Sequence, residues 1–152
     1  MIAAAARTGI LQRVSEESEP GRTPERNVLG EELEPCGTEP LTGFYRDGCC
    51  TTGREDLGSH TICAVVTADF LDHQASIGND LRTAVPAYRF PGLRPGDRWC
   101  VTAANWLRAH ADGAAAFVVL ASTHERALEI VPLHALREHA VDVPSDASSL
   151  LD

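Results

Sequence analysis

Four of the five cysteines fall between residues 36 and 63: Cys36, the adjacent pair Cys49 and Cys50, and Cys63, with His60 just before the last. Thiols and imidazole at such density point to metal binding or thiol chemistry. A zinc site needs four ligands, and Cys36, Cys49 (or Cys50), His60 and Cys63 would supply a Cys3His set. The spacing is a weak match, because structural zinc sites are built from cysteines two to four residues apart, so that one tight knuckle delivers two thiolates. The only close cysteines here are neighbours, whose side chains project in different directions.

The same residues suit a nucleophile or redox thiol. Cys49 or Cys50 would be the reacting sulfur, His60 or His124 the base, and Asp80 or Asp97 the carboxylate that orients the base. Such a thiol needs a cation, an imidazole or a helix N-terminus to lower its pKa. Arg46 and Arg54 flank the pair, but Asp47 and Asp56 stand equally near in sequence and oppose them. A bond between Cys49 and Cys50 themselves would be strained, since adjacent Cα atoms are about 3.8 Å apart and disulfides ordinarily need at least about 4.4 Å. A third reading makes the cysteines small buried apolar residues in a loop-rich core. For His60 and Cys63 to bind one ion, the chain must turn before Ile62, because positions 60 and 63 face opposite ways along a strand.

Regular elements follow the cluster. Ile62 to Val66 is a short apolar, β-prone run. Thr67 offers an N-cap to a helix whose apolar side is Phe70, Leu71 and Ala75 and which stops at Gly78. Trp99, Val101 and Ala103 alternate with Arg98, Cys100 and Thr102 as a one-faced strand. A helix over Ala104 to Ala111 presents Trp106, Leu107 and Ala111; Ala116 to Leu120 is another strand, and Thr123 caps a short helix over His124 to Leu128. Pro132 opens a last helix with Leu133, Leu136 and Ala140 as its stripe. His73, His110 and His134 fall on polar helix faces, and His139 lies at the edge of the last stripe. Asp80 and Asp97 also suit turns that bond their own backbone.

These elements predict an α+β or mixed α/β fold, a small mixed sheet with covering helices and a long irregular N-terminal loop segment from Asn27 to Thr61. Residues 1–26, polar and rich in helix breakers, are expected to be a disordered extension, residues 27–142 one globular domain, and residues 143–152 a loose polar tail.

Composition removes several functions. All 13 basic residues are arginine, so Schiff-base, pyridoxal-phosphate and Walker-type lysine chemistry is excluded. A net charge of −9 leaves no basic surface for nucleic acid. No apolar run is long enough for a bilayer span, and residues 1–14 lack the pattern of a secretory signal. The expectation is a cytoplasmic protein that meets an unknown small molecule or protein, and neither nucleic acid nor membrane. An odd cysteine count in that compartment argues against a purely structural disulfide framework.

Asn27-Val28-Leu29-Gly30, Thr42-Gly43-Phe44-Tyr45-Arg46-Asp47-Gly48-Cys49-Cys50, Gly78-Asn79-Asp80-Leu81, Phe90-Pro91-Gly92-Leu93, Pro95-Gly96-Asp97-Arg98-Trp99-Cys100 and Thr123-His124-Glu125 together resemble a bacterial family, domain of unknown function 2237. The likeness runs over about residues 27–142. It implies a single small α/β-type domain, with residues 1–26 outside the common part, and it implies no activity. Cys36, Cys49, Cys50, Asp56, His60, Cys63, Asn79, Asp80, Asp97, Trp99, Cys100 and His124 stand at motif positions. The family often carries a second cysteine two residues after the one matching Cys100, where this chain has Thr102. The leading expectation is a thiol-dependent enzyme using Cys49 or Cys50. The alternatives are a structural zinc protein and a noncatalytic binding module, whose sign would be Phe90, Trp99 and Trp106 on an exposed patch.

Overall fold

The computed structural model describes residues 25–142. The disordered extension expected over residues 1–26 falls, as far as residue 24, outside the described residues, as does the loose polar tail expected over residues 143–152.

The sheet has three strands, β1 (Ile62–Val65), β2 (Arg98–Val101) and β3 (Phe117–Val118), in the order β2-β1-β3. Both pairings are antiparallel, and the parallel contribution is a single bridge from Val118 to Ala140. Three helices, α1 (Ala68–Ser76), α2 (Ala103–Ala111) and α3 (Leu133–Glu138), complete the α+β arrangement. Short 3₁₀ turns at Pro86–Tyr88, Leu120–Ser122 and Glu125–Glu129 fill the connections.

Register divides the sheet into two different faces. Because side chains alternate along a strand and directly paired residues share a side, Ile62 and Ala64 lie with their partners Val101 and Trp99 on one face. That face joins Phe70 and Leu71 of α1, Trp106 and Ala109 of α2, and Ala135 and Leu136 of α3 in the main core. Cys63 and its direct partner Cys100 point to the other face. There they form a smaller buried cluster with Cys36, Cys50 and Val119. Helices cover the first face, and the irregular segment supplies the cover of the second.

Local chemistry explains the helices. Thr67 Oγ1 accepts from the Phe70 amide at 3.0 Å, which closes the first turn of α1. Ala75, expected on the buried side, is half-buried, and Gln74 is buried in its place. That burial is tolerated because Gln74 Oε1 accepts from Asn79 Nδ2 at 2.8 Å. In α2, Trp106 is fully buried and its indole N–H donates to Ala116 O at 3.1 Å, while Ala103 and Ala109 take the core positions expected of Leu107 and Ala111. Deleting such an indole leaves a large void, so Trp106→Ala would cost about 3–5 kcal/mol.

The irregular segment is tied down by satisfied polar groups. Asn27 is fully buried and uses its whole amide: Nδ2 donates to Glu32 O and Ala121 O, and Oδ1 accepts from the Leu29 and Glu31 amides. Val28 N donates to Thr123 O and Glu125 N to Arg26 O, which pairs residues 26–28 with residues 123–125. Ser122 Oγ donates to Pro35 O at 2.8 Å. Gly43, at φ +106, lies so close to the chain ahead of it that a Cβ there would sit 2.4 Å from Cys49 O, a position that only glycine can occupy.

Candidate functional site

Two disulfides join the irregular segment to the sheet. Cys36 is bonded to Cys63 and Cys50 to Cys100, with Cα separations of 5.7 and 5.4 Å, ordinary for such bonds. The two bridges are neighbours: the sulfurs of Cys36, Cys50 and Cys100 all lie within 4.8 Å of one another. All four residues are buried to within 2% of full exclusion. Backbone polar groups beside the bridges are met by buried threonines. Cys63 N donates to Thr123 Oγ1 at 3.1 Å and Cys100 N to Thr42 Oγ1 at 2.8 Å. Cys63 and Cys100 therefore direct their amides out of the ladder, onto threonines of the flanking loops.

This arrangement revises the ligand set expected for zinc. Cys36, Cys49, His60 and Cys63 do not assemble within 4.8 Å of one another, and in this state Cys36 and Cys63 are spent on their mutual bond. Cys50, expected as a possible nucleophile, is a buried half-cystine. The physical reason is register: β1 and β2 place Cys63 and Cys100 side by side, and the fifth cysteine outside the sequence cluster becomes the partner of Cys50. The odd cysteine count, which argues against a purely structural disulfide framework, is accounted for by four cysteines that pair and one that does not.

That one is Cys49, half-buried, with its amide donating to Asp47 Oδ1 at 3.0 Å. Burial pushes its thiol pKa up, and the Asp47 carboxylate adds to the rise. The contest between flanking charges is thereby decided. Arg46 is turned away, with its guanidinium over the Trp99 ring at 5.0 Å and Nη1 donating to Gly43 O, while Asp47 stays beside the thiol.

His60 is oriented by a carboxylate that sequence reasoning did not choose. Its Nδ1 lies 2.7 Å from Asp56 Oδ1, and its amide donates to Asp56 Oδ2 at 2.8 Å. Thr52 Oγ1 gives that second oxygen another bond, 2.9 Å long. The Asp56 side chain is wholly excluded from solvent, whereas the His60 side chain is 34% exposed. The left-handed turn at Ser59 (φ +57) brings His60 back over Asp56 before β1 begins at Ile62. The Phe44 ring packs on the imidazole at 5.6 Å, so the loop that carries Cys49 and the Asp56 to His60 turn lie against each other. The signal was the four-residue spacing of Asp56 and His60, which carries no weight in a segment without helical period.

The remaining candidates serve local structure. His124 is buried; its Nδ1 accepts from the Arg126 amide at 3.0 Å and its Nε2 faces Glu25 Oε1 at 2.9 Å, so both nitrogens are engaged. It is the N-cap of the 3₁₀ turn that Thr123 was expected to cap. Asp80 accepts from the Arg82 amide and from Thr83 Oγ1, and these bonds hold its carboxyl below the usual range. Asp97 Oδ2 accepts from the Arg94 amide. Neither carboxylate bonds to a histidine. Phe90, Trp99 and Trp106 are all buried, so they form no exposed patch of the kind a binding module would show.

Residues 26–140 match the family domain of unknown function 2237, described as an uncharacterized protein conserved in bacteria. The chain belongs to this family. No curated protein matches it. Within the family match lie both disulfides, Cys49 and the Asp56–His60 pair, so the site belongs to the family's own domain. Among the described residues, no helix is long and apolar enough to cross a membrane.

Proposed function

We propose that this domain of unknown function 2237 protein is a thiol–disulfide redox protein of the cytoplasm, with Cys36, Cys50, Cys63 and Cys100 as its centre. The observation that carries this reading is the adjacency of the two bridges, with three sulfurs mutually within 4.8 Å. Isolated staples have no reason to adjoin. Adjacent disulfides can exchange: once Cys50–Cys100 is reduced, the Cys50 thiolate can attack Cys36, forming Cys36–Cys50 and releasing Cys63 as thiolate. Each bridge takes two electrons and two protons from a partner dithiol, which leaves as its own disulfide. The partner is thus a small-molecule or protein dithiol or disulfide. In the cytoplasm proposed here, disulfides are usually transient, catalytic or sensing.

Cys49 is the thiol through which a partner is engaged, and His60, oriented by Asp56, is its base. A thiol whose pKa is raised needs such a base to react at neutral pH. The test is redox titration in thiol and disulfide buffers, with alkylated thiols counted by intact mass. One thiol is expected in the oxidised chain and five in the reduced chain, with midpoints in the range of about −120 to −270 mV spanned by redox-active proteins. Potentials below about −300 mV would make the bridges structural and sink the proposal.

The same sulfur spacing favours a second reading for the reduced state, in which Cys36, Cys50, Cys63 and Cys100 hold one zinc ion as four thiolates. Zinc thiolate sulfurs sit at about 2.3 Å from the ion, hence about 3.8 Å apart around a tetrahedron, and three of the four sulfurs, those of Cys36, Cys50 and Cys100, already lie within 4.8 Å of one another. Cobalt substitution of anaerobically reduced protein decides it: sulfur-to-metal charge-transfer bands support this reading, and their absence ends it.

A further inference from the structure

A second group of ligating side chains lies on the helical side of the molecule, on elements separate from the cysteines. His110 in the last turn of α2 and Glu138 and His139 at the end of α3 bring one ligand atom each to within 4.8 Å of one another. His110 Nε2 and Glu138 Oε1 are 3.1 Å apart. The two imidazoles are not free-swinging surface groups. The His110 ring stacks on the fully buried Trp106 at 5.3 Å, the His139 ring meets the same indole edge-on at 5.8 Å, and the two imidazoles stand perpendicular at 5.4 Å. Trp106 is itself fixed by its bond to Ala116 O, and the His139 backbone is fixed because its carbonyl accepts from Val118 N of β3 at 2.9 Å. One buried indole therefore sets the orientation of both rings.

We propose that His110, Glu138 and His139 form a binding site for a zinc-class divalent transition-metal ion. Two imidazoles and one carboxylate are the donor set such ions take when a fourth position is left to water. Tetrahedral binding at about 2.0–2.1 Å places ligand atoms about 3.4 Å apart, close to the 3.1 Å between His110 Nε2 and Glu138 Oε1, with the His139 ligand atom within 4.8 Å of both. Charge favours a cation. Glu138 brings a carboxylate to the site, which lies at the C-terminal end of α2, where the helix dipole is negative. An ion there would clasp α2 to α3 and hold the chain that returns to β3 through Val118 and Ala140.

The experiment uses the full chain with both disulfides oxidised and Cys49 alkylated, so that sulfur cannot contribute. Zinc and cobalt chlorides are titrated at pH 7.5 by calorimetry and visible absorption. One equivalent should bind, cobalt should show ligand-field bands without sulfur charge transfer, and zinc should shift the ring-proton resonances of His110 and His139. His110→Ala, His139→Ala and Glu138→Gln should each weaken binding at least about tenfold, of the order seen when metal-site partners are removed. Absence of saturable binding at millimolar metal would overturn the proposal. So would affinity unchanged in the His110 and His139 variants, or shifts confined to other histidines, a readout in the wild type that does not depend on any variant folding.

Discussion

Removing the Cys36–Cys63 bridge by Cys36→Ala with Cys63→Ala is the sharpest perturbation of the fold, because it deletes the bond without leaving an orphan thiol. The bridge spans 27 residues of sequence. Loop closure in the unfolded chain then accounts for about 3.5 kcal/mol at 25 °C, and the Cys50–Cys100 bridge, with its separation of 50, for about 4 kcal/mol. The two loops interleave, so each bond shortens the loop that the other closes and the two values do not add. For a chain of this size each kcal/mol moves Tm by about 2–4 °C, which gives the double variant a fall of roughly 7–14 °C. Thermal unfolding by circular dichroism, with and without reductant, is the assay. The wild type should lose stability when reductant is added, and the variant should lose less, having one bridge left. A Tm that moves by less than about 2 °C, or a wild type indifferent to reductant, would refute the loop-closure reasoning and with it the assignment of the bridges.

Asp56→Ala should cost about 3 kcal/mol in urea denaturation, because it strips the acceptor from Thr52 and from two donors of His60, and more than His60→Ala, whose side chain is partly exposed; equal costs would contradict the buried-acceptor account. Asp47→Asn should lower the Cys49 pKa by removing the nearby carboxylate charge, so the alkylation rate of Cys49 should rise at pH 7–8 and its pH midpoint should fall; an unchanged profile would leave burial as the sole cause. Tyr45, bonded to Glu55, should titrate near its raised value of about 12 by ultraviolet absorption. Because the folded value lies above the unfolded one near 10, that bond's contribution is complete below about pH 10 and is lost as pH rises toward 12. Tyr45→Phe should abolish this alkaline component, and a midpoint near 10 in the wild type would show that the bond does not persist in solution.

Local signals carried the regular elements well. The run at Ile62, the Thr67 cap and the alternation of Trp99 and Val101 each depend on a few consecutive residues, and β1, α1 and β2 form where those signals lie. The α+β class follows from them. The site was legible only as a concentration of cysteines. Its pairing depends on the register of β1 against β2, which aligns Cys63 with Cys100 across the whole α1 connection, and no local pattern encodes that alignment. Cys100 stood in plain view on the polar side of its strand, but the polar side of this strand faces a second, small core. His110 and Glu138 meet across 28 positions for the same reason. Asp80 and Asp97 serve their own turns, Asp80 through both carboxylate oxygens and Asp97 through Oδ2.

A redox centre built from buried bridges must open and close without dissolving the fold, and the bonds around the cluster meet that requirement. The irregular segment is held to the sheet at several points that involve no sulfur. Asn27 spans from Glu32 to Ala121, Thr42 takes the Cys100 amide, Ser122 holds Pro35, and residues 26–28 pair with residues 123–125. Each such buried bond contributes about 1 kcal/mol net, but breaking one exposes a group whose desolvation costs more. On the redox function proposed above, they are expected to keep Cys36 and Cys50 beside Cys63 and Cys100 after reduction. The thiols then remain within exchange distance, and reoxidation is an intramolecular step with no long loop to close. A pure staple needs no such redundancy. If the reduced protein kept its hydrogen-exchange protection at Cys63, Cys100 and Val119 while losing only the loop-closure stability, the cluster would behave as a centre poised between two folded states; collapse of that protection would mean that the sulfurs alone hold the second face.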